Sequence, residues 1–267
     1  MIPFSRSCIL AITTLGLIVF SQLIASTTTL AQETEQSTPP ASGPTSEIEK
    51  VVRDYILKNP EVIVEALQIF EQRQEAEFNE RQKSLIASNH DVLVSSAHQS
   101  ILGNPDGDVT LIEFFDYNCG FCRDSLEHLQ KLVAEDDKLK IVLKEFPVLG
   151  PDSQDAARVA IAASKIDPDK YLKLHVQLLK TRGQANKRIA LSIAEQLDYD
   201  MDALRGKMSE TVIDESINEV YGLANQLGLT GTPTFIIGNE VMPGAVGHDV
   251  LREKLDSMRK CGETVCS

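Results

Sequence analysis

The sequence contains no tryptophan, and positive charge is scarce: 26 Lys and Arg stand against 39 Asp and Glu, a formal net charge of −13. This balance argues against a nucleic-acid partner and indicates a soluble acidic protein. The five histidines show no spacing typical of metal ligands, so no metal site and no cofactor are predicted. With 267 residues, 42% of them hydrophobic, the chain is long enough for one substantial core and a smaller appendage.

Cysteine is also rare, with five in the chain, and the first lies in an apolar N-terminal segment. Residues 1–31 carry one charge, Arg6, and end in Thr29-Leu30-Ala31, a pattern typical of a cleaved signal peptide. A retained membrane anchor, or exposure at the cell surface, is the alternative. Export would place the chain in an oxidising compartment, so the other four cysteines are interpreted as disulfides or exchange-active thiols.

The segment after the signal peptide divides into a linker and a helical arm. Residues 32–46 (QETEQSTPPASGPTS) lack large apolar side chains and predict a flexible linker. Residues 47–94 predict helices with an apolar stripe that begins at Ile48, and Asn59-Pro60-Glu61 is typical of a helix restart. Either copies of the arm in a homo-oligomer or the chain's own main domain must cover this stripe. The polar stretch that follows favours the homo-oligomer.

The main domain, residues 95–267, is organised around Val109–Leu129, VTLIEFFDYNCGFCRDSLEHL. An apolar, β-rich run meets Cys119-Gly120-Phe121-Cys122 and continues as a helical pattern. The first sulfur then lies at a helix N-terminus, where unpaired N–H groups and the helix dipole favour a thiolate. Because the thiolate attacks in thiol–disulfide exchange, Cys119 is predicted to be the nucleophile and Cys122 the resolving thiol, which closes a Cys119–Cys122 disulfide.

Two other interpretations of these cysteines are weaker. A zinc site that combines Cys119 and Cys122 with Cys261 and Cys266 would need ligands separated by more than half of the main domain, which does not fit the short spacings of such sites. A purely structural Cys119–Cys122 disulfide would close too short a loop to restrict the unfolded chain.

The rest of the domain predicts an α/β fold. Residues 139–146 predict a second strand, parallel to the first because a helix joins them. Residues 151–227 have helical composition and period, with helices predicted at 156–165, 170–180, 187–197 and 213–227. The Gly228–Gly231 segment breaks the helix, and Thr232-Pro233 precedes an apolar strand at 234–237. A short strand that ends at 242–244 and an amphipathic helix at 248–260 complete the domain.

LIEFFDYNCGFC together with the distant Gly231-Thr232-Pro233-Thr234 resembles the DsbA superfamily of periplasmic thioredoxin-fold proteins. The similarity is strongest to its ScsC-like branch and to the Com-type outer-membrane immunogenic proteins. Further matching motifs extend the resemblance over residues 47–258, for example Lys144-Glu145-Phe146-Pro147. The resemblance implies a thioredoxin fold with an inserted helical subdomain and a cis Thr232–Pro233 bond against the catalytic loop. It also implies oligomerisation through the N-terminal helices.

Glu113 matches the buried acid that the DsbA superfamily has in this strand. The resemblance implies that its carboxyl has a raised pKa and passes protons to and from Cys122. An ordinary solvent-facing strand residue is the alternative, and Lys144 on the neighbouring strand is a candidate partner. The tail pair is interpreted as a structural Cys261–Cys266 disulfide. The alternative is a shuttle that exchanges with Cys119–Cys122 or with another protein.

The direction of electron flow depends on the dipeptide between the cysteines. Strongly oxidising relatives have Pro-His there, whereas Gly120-Phe121 has neither charge nor proton donor and predicts a less oxidising pair. Thr232 before the proline also resembles the isomerases. We therefore expect an oligomeric disulfide isomerase or reductase that acts on exported cysteine-containing proteins and is recycled by a membrane redox partner. The alternatives are a monomeric dithiol oxidase and a surface antigen, binding or copper-binding module with vestigial redox activity.

Overall fold

The computed structural model describes residues 44–266, with side-chain surroundings given from residue 46 onward. The predicted signal peptide, 1–31, and nearly all of the predicted linker, 32–46, lie outside these residues. The described chain forms two compact units, divided after Val62. Among its helices none is both long and apolar enough to cross a membrane.

The first unit holds the helix α1 (Pro44–Lys58) and the start of α2 (Glu61–Ser88). The predicted restart at Asn59-Pro60 is confirmed, because the two helices are interrupted there. None of the side chains described in α1 is buried, and Val51, Val52 and Tyr55 are exposed.

The second unit holds the rest of α2 and all remaining elements. They are α3 (His90–Ser95), β1 (Ser100–Gly103), β2 (Val109–Phe115), α4 (Gly120–Glu135), β3 (Leu139–Glu145), α5 (Pro151–Ile166), α6 (Pro168–Leu179), α7 (Lys187–Gln196), α8 (Met201–Met208), α9 (Thr211–Leu227), β4 (Thr234–Ile237), β5 (Glu240–Pro243) and α10 (His248–Cys261). The strands form one sheet in the order β1-β3-β2-β4-β5. As predicted, β2 and β3 are parallel, whereas the other pairs are antiparallel.

The central strand β2 is buried on both faces, as expected for an almost wholly apolar run in a parallel pair. Leu111 and Phe115 pack in a first core cluster with α4, α10 and the inserted helices. Ile112 and Phe114 face the other way, into a second cluster with α9. Ile86 of α2 also belongs to this second cluster. The sheet is therefore sandwiched between helices, and the C-terminal end of β2 leads into residues 116–122, which carry the two central cysteines.

The helical insertion is built around α5. Its AARVAIAAS segment buries nearly every side chain, and small alanines allow neighbouring helices to approach closely. Of the elements in the main domain, β1 and α8 were not predicted from the sequence. The strand β1 is only four residues long and lies at the sheet edge beside β3. Asp200 is the N-cap of α8, and its carboxylate accepts from the N–H groups of Asp202 and Ala203.

Gly107 is expected to be intolerant of even a methyl side chain. A Cβ at this position would lie 2.5 Å from Lys138 O and 2.6 Å from Lys140 N, which are backbone atoms of a neighbouring segment of the same chain. We expect Gly107→Ala to lower the free energy of unfolding by about 1–3 kcal/mol or more, measured by urea titration with circular dichroism. Gly222→Ala in α9, where a Cβ meets no atom within 4 Å, is the control and should stabilise by roughly 0.5–1 kcal/mol. Equal effects of the two substitutions would contradict this expectation.

Candidate active site

The two central cysteines lie where β2 gives way to α4. Cys119 is the N-cap of α4, and its Sγ accepts a hydrogen bond from Cys122 N at 3.4 Å. Both residues are thiols in this structure, with Cys119 6% exposed and Cys122 fully buried. The predicted Cys119–Cys122 disulfide is the oxidised form of this pair and stays a prediction. Of the two dipeptide residues between them, Phe121 is 64% exposed, so Cys119 lies beside an accessible apolar side chain.

The surroundings of the two sulfurs differ in the charge that they favour. A hydrogen bond from the Cys122 thiol, helped by the Thr232 side chain and by backbone N–H groups of α4, lowers the pKa of Cys119 to about 6 despite partial burial. Burial, together with the hydrogen bond to Cys119 and the charge of Glu113, raises the pKa of Cys122 far above its ordinary value. Cys119 is therefore the sulfur that is a thiolate at neutral pH.

The Thr232–Pro233 bond is cis, as predicted. Its Thr232 carbonyl oxygen lies 3.1 Å from Cys119 Sγ and accepts a hydrogen bond when that sulfur is a thiol. The segment just before β4 therefore lies directly against the catalytic loop, although more than a hundred residues separate the two in sequence.

Thr232→Val is expected to raise the pKa of the Cys119 thiol, because the substitution removes the Thr232 hydroxyl that helps to stabilise the thiolate. The measurement is a titration of thiolate absorbance at 240 nm in the reduced protein. Thr232→Ser retains the hydroxyl and is the control. If valine and serine give the same titration midpoint, the side chain of Thr232 does not stabilise the thiolate.

Glu113 is buried on the face of β2 that carries the first core cluster, opposite Phe235 on β4 and Leu143 on β3. Burial, with a smaller contribution from the Cys119 charge, raises its pKa to about 8. Its Oε1 has no hydrogen-bond partner among the described residues. The solvent-facing alternative is therefore wrong, and a neutral carboxyl lies close enough to the cysteines to affect the pKa of Cys122.

Lys144, the candidate partner of Glu113, does not contact it. Lys144 lies opposite Phe114, so its side chain points to the other face of the sheet. There Nζ donates to Val92 O at 2.7 Å and lies 3.6 Å from Glu219 Oε1. Lys144 therefore attaches α3 to the sheet and takes no part in the candidate site.

A polar network that the sequence analysis missed fixes the residues just before Cys119. Asp116 accepts from Asn118 N at 2.8 Å, from Ser153 Oγ at 2.7 Å and from Leu149 N at 2.9 Å. Asn118 Nδ2 donates to Ser153 Oγ and to Ala185 O, both at 2.9 Å. The signal in the sequence is Asp116 and Asn118 themselves, two polar residues directly after an apolar strand.

Behind this loop lies a second buried polar cluster. Tyr117 donates to Glu145 Oε1 at 3.0 Å, and its hydroxyl is 3.3 Å from His175 Nδ1. Tyr171 donates to the same Glu145 oxygen at 3.3 Å. Burial lowers the pKa of His175 to about 3 and raises that of Glu145 well above its ordinary value. Burial therefore favours the neutral forms of both groups, and the cluster joins the catalytic loop to α6.

The predicted Cys261–Cys266 disulfide is formed, with a Cα–Cα distance of 6.0 Å. It lies at the end of α10, where Arg259 bonds Asp108, the residue before β2. Cys119 follows the other end of β2, and seven strand residues alone span about 20 Å. This separation excludes an internal shuttle between the two pairs and a zinc site made of all four cysteines. The described residues also contain no group of three or more potential metal ligands.

Two family models match the chain. The model of the DSBA-like thioredoxin domain matches residues 110–256, and that of the copper resistance protein ScsC N-terminal domain matches residues 45–77. The first match includes Glu113, both central cysteines and the cis proline. The second coincides with α1 and the first half of α2.

Solved structures with the same fold include a thioredoxin-like oxidoreductase from Silicibacter pomeroyi. It is 38% identical, with 65% of this chain and 99% of that one covered and a TM-score of 0.62. ScsC from Proteus mirabilis, in a transitional conformation, is 26% identical to this chain. The match covers 80% of this chain and 95% of the ScsC chain, with a TM-score of 0.60. Among curated proteins, the Na(+)/H(+) antiporter NhaA 1 of Salinispora arenicola is 26% identical over 168 residues. That match covers 62% of this chain but only 26% of the antiporter.

Proposed function

The chain belongs to the DsbA-like thioredoxin family and is a thiol–disulfide oxidoreductase, and we propose that it acts as a disulfide isomerase or reductase on exported cysteine-containing proteins. In this proposal Cys119 is the nucleophile, Cys122 the resolving thiol and Glu113 the group that exchanges protons with Cys122. Thr232 and Pro233 face the attacking sulfur. Gly120 and Phe121 form the redox loop between the cysteines.

The proposed reaction has two steps, attack on the substrate disulfide and resolution of the mixed disulfide. The Cys119 thiolate attacks one sulfur of a substrate disulfide, which forms a mixed disulfide and releases the other substrate sulfur as a thiolate. The ionised form of Glu113, a minor fraction at neutral pH because the pKa is about 8, then takes the proton of Cys122. Cys122 attacks Cys119, which closes the Cys119–Cys122 disulfide and releases the second substrate thiolate. The substrate gains two electrons and the enzyme dithiol loses them. In isomerisation, a different substrate thiolate attacks the mixed disulfide, and the enzyme dithiol is regenerated.

The observation that carries the isomerase proposal is the uncovered apolar surface of the arm. In the first unit Val51, Val52 and Tyr55 are exposed, and in the second unit Leu67 and Phe70 of α2 are exposed. Apolar side chains at helical spacing without a covering surface are typical of helices that pair with other chains. The match of residues 45–77 to the N-terminal domain of ScsC supports the same interpretation. We propose a homo-oligomer through residues 47–94, in which shielding of the catalytic face keeps an oxidase from reoxidising Cys119 and Cys122.

The experiment compares the solution mass and the isomerase activity of the full chain with those of Val52→Asp/Phe70→Asp. We expect the variant to be a monomer that has lost the ability to rescue a protein with scrambled disulfides. Gln74→Asp/Asn79→Asp adds the same charge at exposed polar positions and is the control. Substitutions are preferable to a truncation at residue 95, because that cut would remove Ile86 and Leu93 from the second core cluster. A wild-type monomer would overturn the proposal.

A second candidate function is a monomeric dithiol oxidase, and the low pKa of Cys119, about 6, favours it. A stabilised thiolate stabilises the reduced enzyme and so makes its disulfide more oxidising. The two candidates differ in the physiological direction of the same chemistry. A purified wild-type protein that oxidises dithiol peptides but does not rescue scrambled disulfides would support the oxidase.

The remaining parts of the proposal concern location and recycling. We propose export to the periplasm, which the signal-like residues 1–31 support and which fits the solved structure of a periplasmic thioredoxin-like protein from Salmonella enterica, 27% identical to this chain. A membrane-bound redox partner would then return the Cys119–Cys122 pair to its working state.

A further inference from the structure

The loop between α6 and α7 is attached to both flanks of the Cys119–Cys122 motif. Before the motif, Asn118 Nδ2 donates to Ala185 O at 2.9 Å, and Asn118 Oδ1 accepts from Ala185 N at 2.7 Å. After the motif, Arg123 Nε donates to Leu179 O at 2.7 Å. Residues 180–184 are the whole of the chain between these two attachment points. The loop must therefore lie beside the catalytic loop.

This segment carries a concentration of positive charge. Residues 180–188 read KTRGQANKR, with four cations and no acidic residue, in a chain of formal net charge −13. Lys180, Arg182, Lys187 and Arg188 are all exposed. Among the salt bridges of the described residues, none includes any of these four side chains. Their charges are thus available to a partner outside the chain.

The stability of α7 does not explain this placement. Lys187 and Arg188 occupy the first turn of α7, where the positive end of the helix dipole disfavours cations. Asn186, the N-cap, already satisfies the Ile189 N–H without their help. Charges that oppose a local preference are expected mainly where function requires them.

We propose that residues 180–188, the basic loop, recognise the polypeptide substrate by binding acidic side chains next to the cysteine under attack. This inference rests on the proposed thiol–disulfide exchange. A substrate bonded through sulfur to Cys119 must run across the surfaces that flank the catalytic motif, and the basic loop is one of them. Electrostatic attraction raises the association rate of oppositely charged segments and is screened by salt.

The test measures how fast the reduced full-length protein reacts with each of three peptides that contain the same internal disulfide. The residues beside the target cysteine are two Asp, two Asn or two Lys. We expect the Asp peptide to react about tenfold faster than the Lys peptide at low ionic strength, with the ratio falling towards one in high salt. Lys180→Gln/Arg182→Gln should remove most of this preference. Lys138→Gln/Lys260→Gln removes the same charge at the opposite end of the sheet and should retain it.

The outcomes separate selection by the basic loop from an effect of net charge and from failure of the exchange reaction itself. If the wild-type protein reacts equally fast with the Asp and Lys peptides, the basic loop has no role in selection, while the proposed exchange function stands. If both double variants reduce the preference equally, the net charge of the protein is responsible and the inference is wrong. If the wild-type protein does not react even with the Asn peptide, the proposed function itself fails.

Discussion

Cys119→Ser is expected to reduce disulfide exchange to the uncatalysed rate, whereas Cys122→Ser should stop the reaction halfway. The first substitution removes the sulfur that is ionised at neutral pH. The second leaves the attacking thiolate but removes the buried thiol that would release the substrate. The expected product of Cys122→Ser is therefore a stable mixed disulfide. Mass spectrometry of the protein with a disulfide peptide would detect it as an adduct of one peptide fragment.

The pH dependence of the first step follows from the same ionisation. The hydroxyl that Cys122→Ser introduces can still donate to Cys119 Sγ, so the pKa of Cys119, about 6 in the wild type, should stay low. Attack by the reduced variant should therefore stay fast at neutral pH and fall as the pH drops below about 6. Cys261→Ser/Cys266→Ser removes the tail disulfide at the far end of the sheet and is the matched control for loss of cysteine. Trapping by Cys119→Ser instead of Cys122→Ser would reverse the assigned roles.

Glu113→Gln is expected to slow resolution of the mixed disulfide by roughly tenfold to a hundredfold, because the amide cannot accept the Cys122 proton. Attack by Cys119 on the substrate disulfide should change much less. Rapid-quench measurement of the mixed disulfide separates the two steps, since slow resolution makes this intermediate accumulate. Glu127→Gln, at an exposed position of α4, is the control. Equal slowing of both steps would indicate a general distortion of the site.

The same substitution should also change how stability depends on pH. The folded Glu113 carboxyl has a pKa of about 8 in place of the ordinary 4.5, so between these values the folded protein holds a proton that the unfolded chain has released. Stability therefore falls as the pH rises through this window, by up to about 1.4 kcal/mol per pH unit. Gln cannot titrate. The stability of Glu113→Gln relative to wild type should therefore increase from pH 4.5 to 8 in the reduced protein.

Cys119 acts in the opposite direction and must be separated from Glu113. Its pKa is lowered from 9.0 to about 6, so its ionisation stabilises the reduced protein increasingly over that range. The wild-type curve is the sum of both effects above pH 6, and only the difference between variant and wild type isolates Glu113. Urea titrations at several pH values provide this difference. A difference that does not change with pH would show that Glu113 has an ordinary pKa.

The features that local pattern determines were predictable from the sequence. A continuous apolar run specified β2, the cysteine spacing at its end placed Cys119 at a helix N-terminus, and Asn59-Pro60 marked the interruption between α1 and α2. The resemblance to the DsbA superfamily supplied the cis bond before Pro233 and the burial of Glu113. Each of these depends on neighbouring residues or on a motif that is legible in one stretch of chain.

The features that depend on distant contacts were not predictable. Lys144 was expected beside Glu113 because both lie in adjacent strands, but the register places it opposite Phe114 and thus on the other face. The pairing of Asn118 with Ala185 joins residues 67 positions apart and has no periodic signal. The edge strand β1 is short and partly exposed, so its pairing with β3 outweighs a weak local preference.

The uneven burial of α2 has a consequence for how the arm acquires its shape. Near its C-terminal end Ile86 is fixed in the second core cluster, whereas no side chain from residue 63 to 81 is buried. An isolated helix gains little from hydrogen bonding alone, and most helical stability in proteins comes from packing. The exposed turns of α2 are therefore not stabilised by packing against their own domain. In the proposed homo-oligomer their folding would be coupled to assembly, so we expect dilution alone to make the helix fray from its N-terminal end towards Ile86.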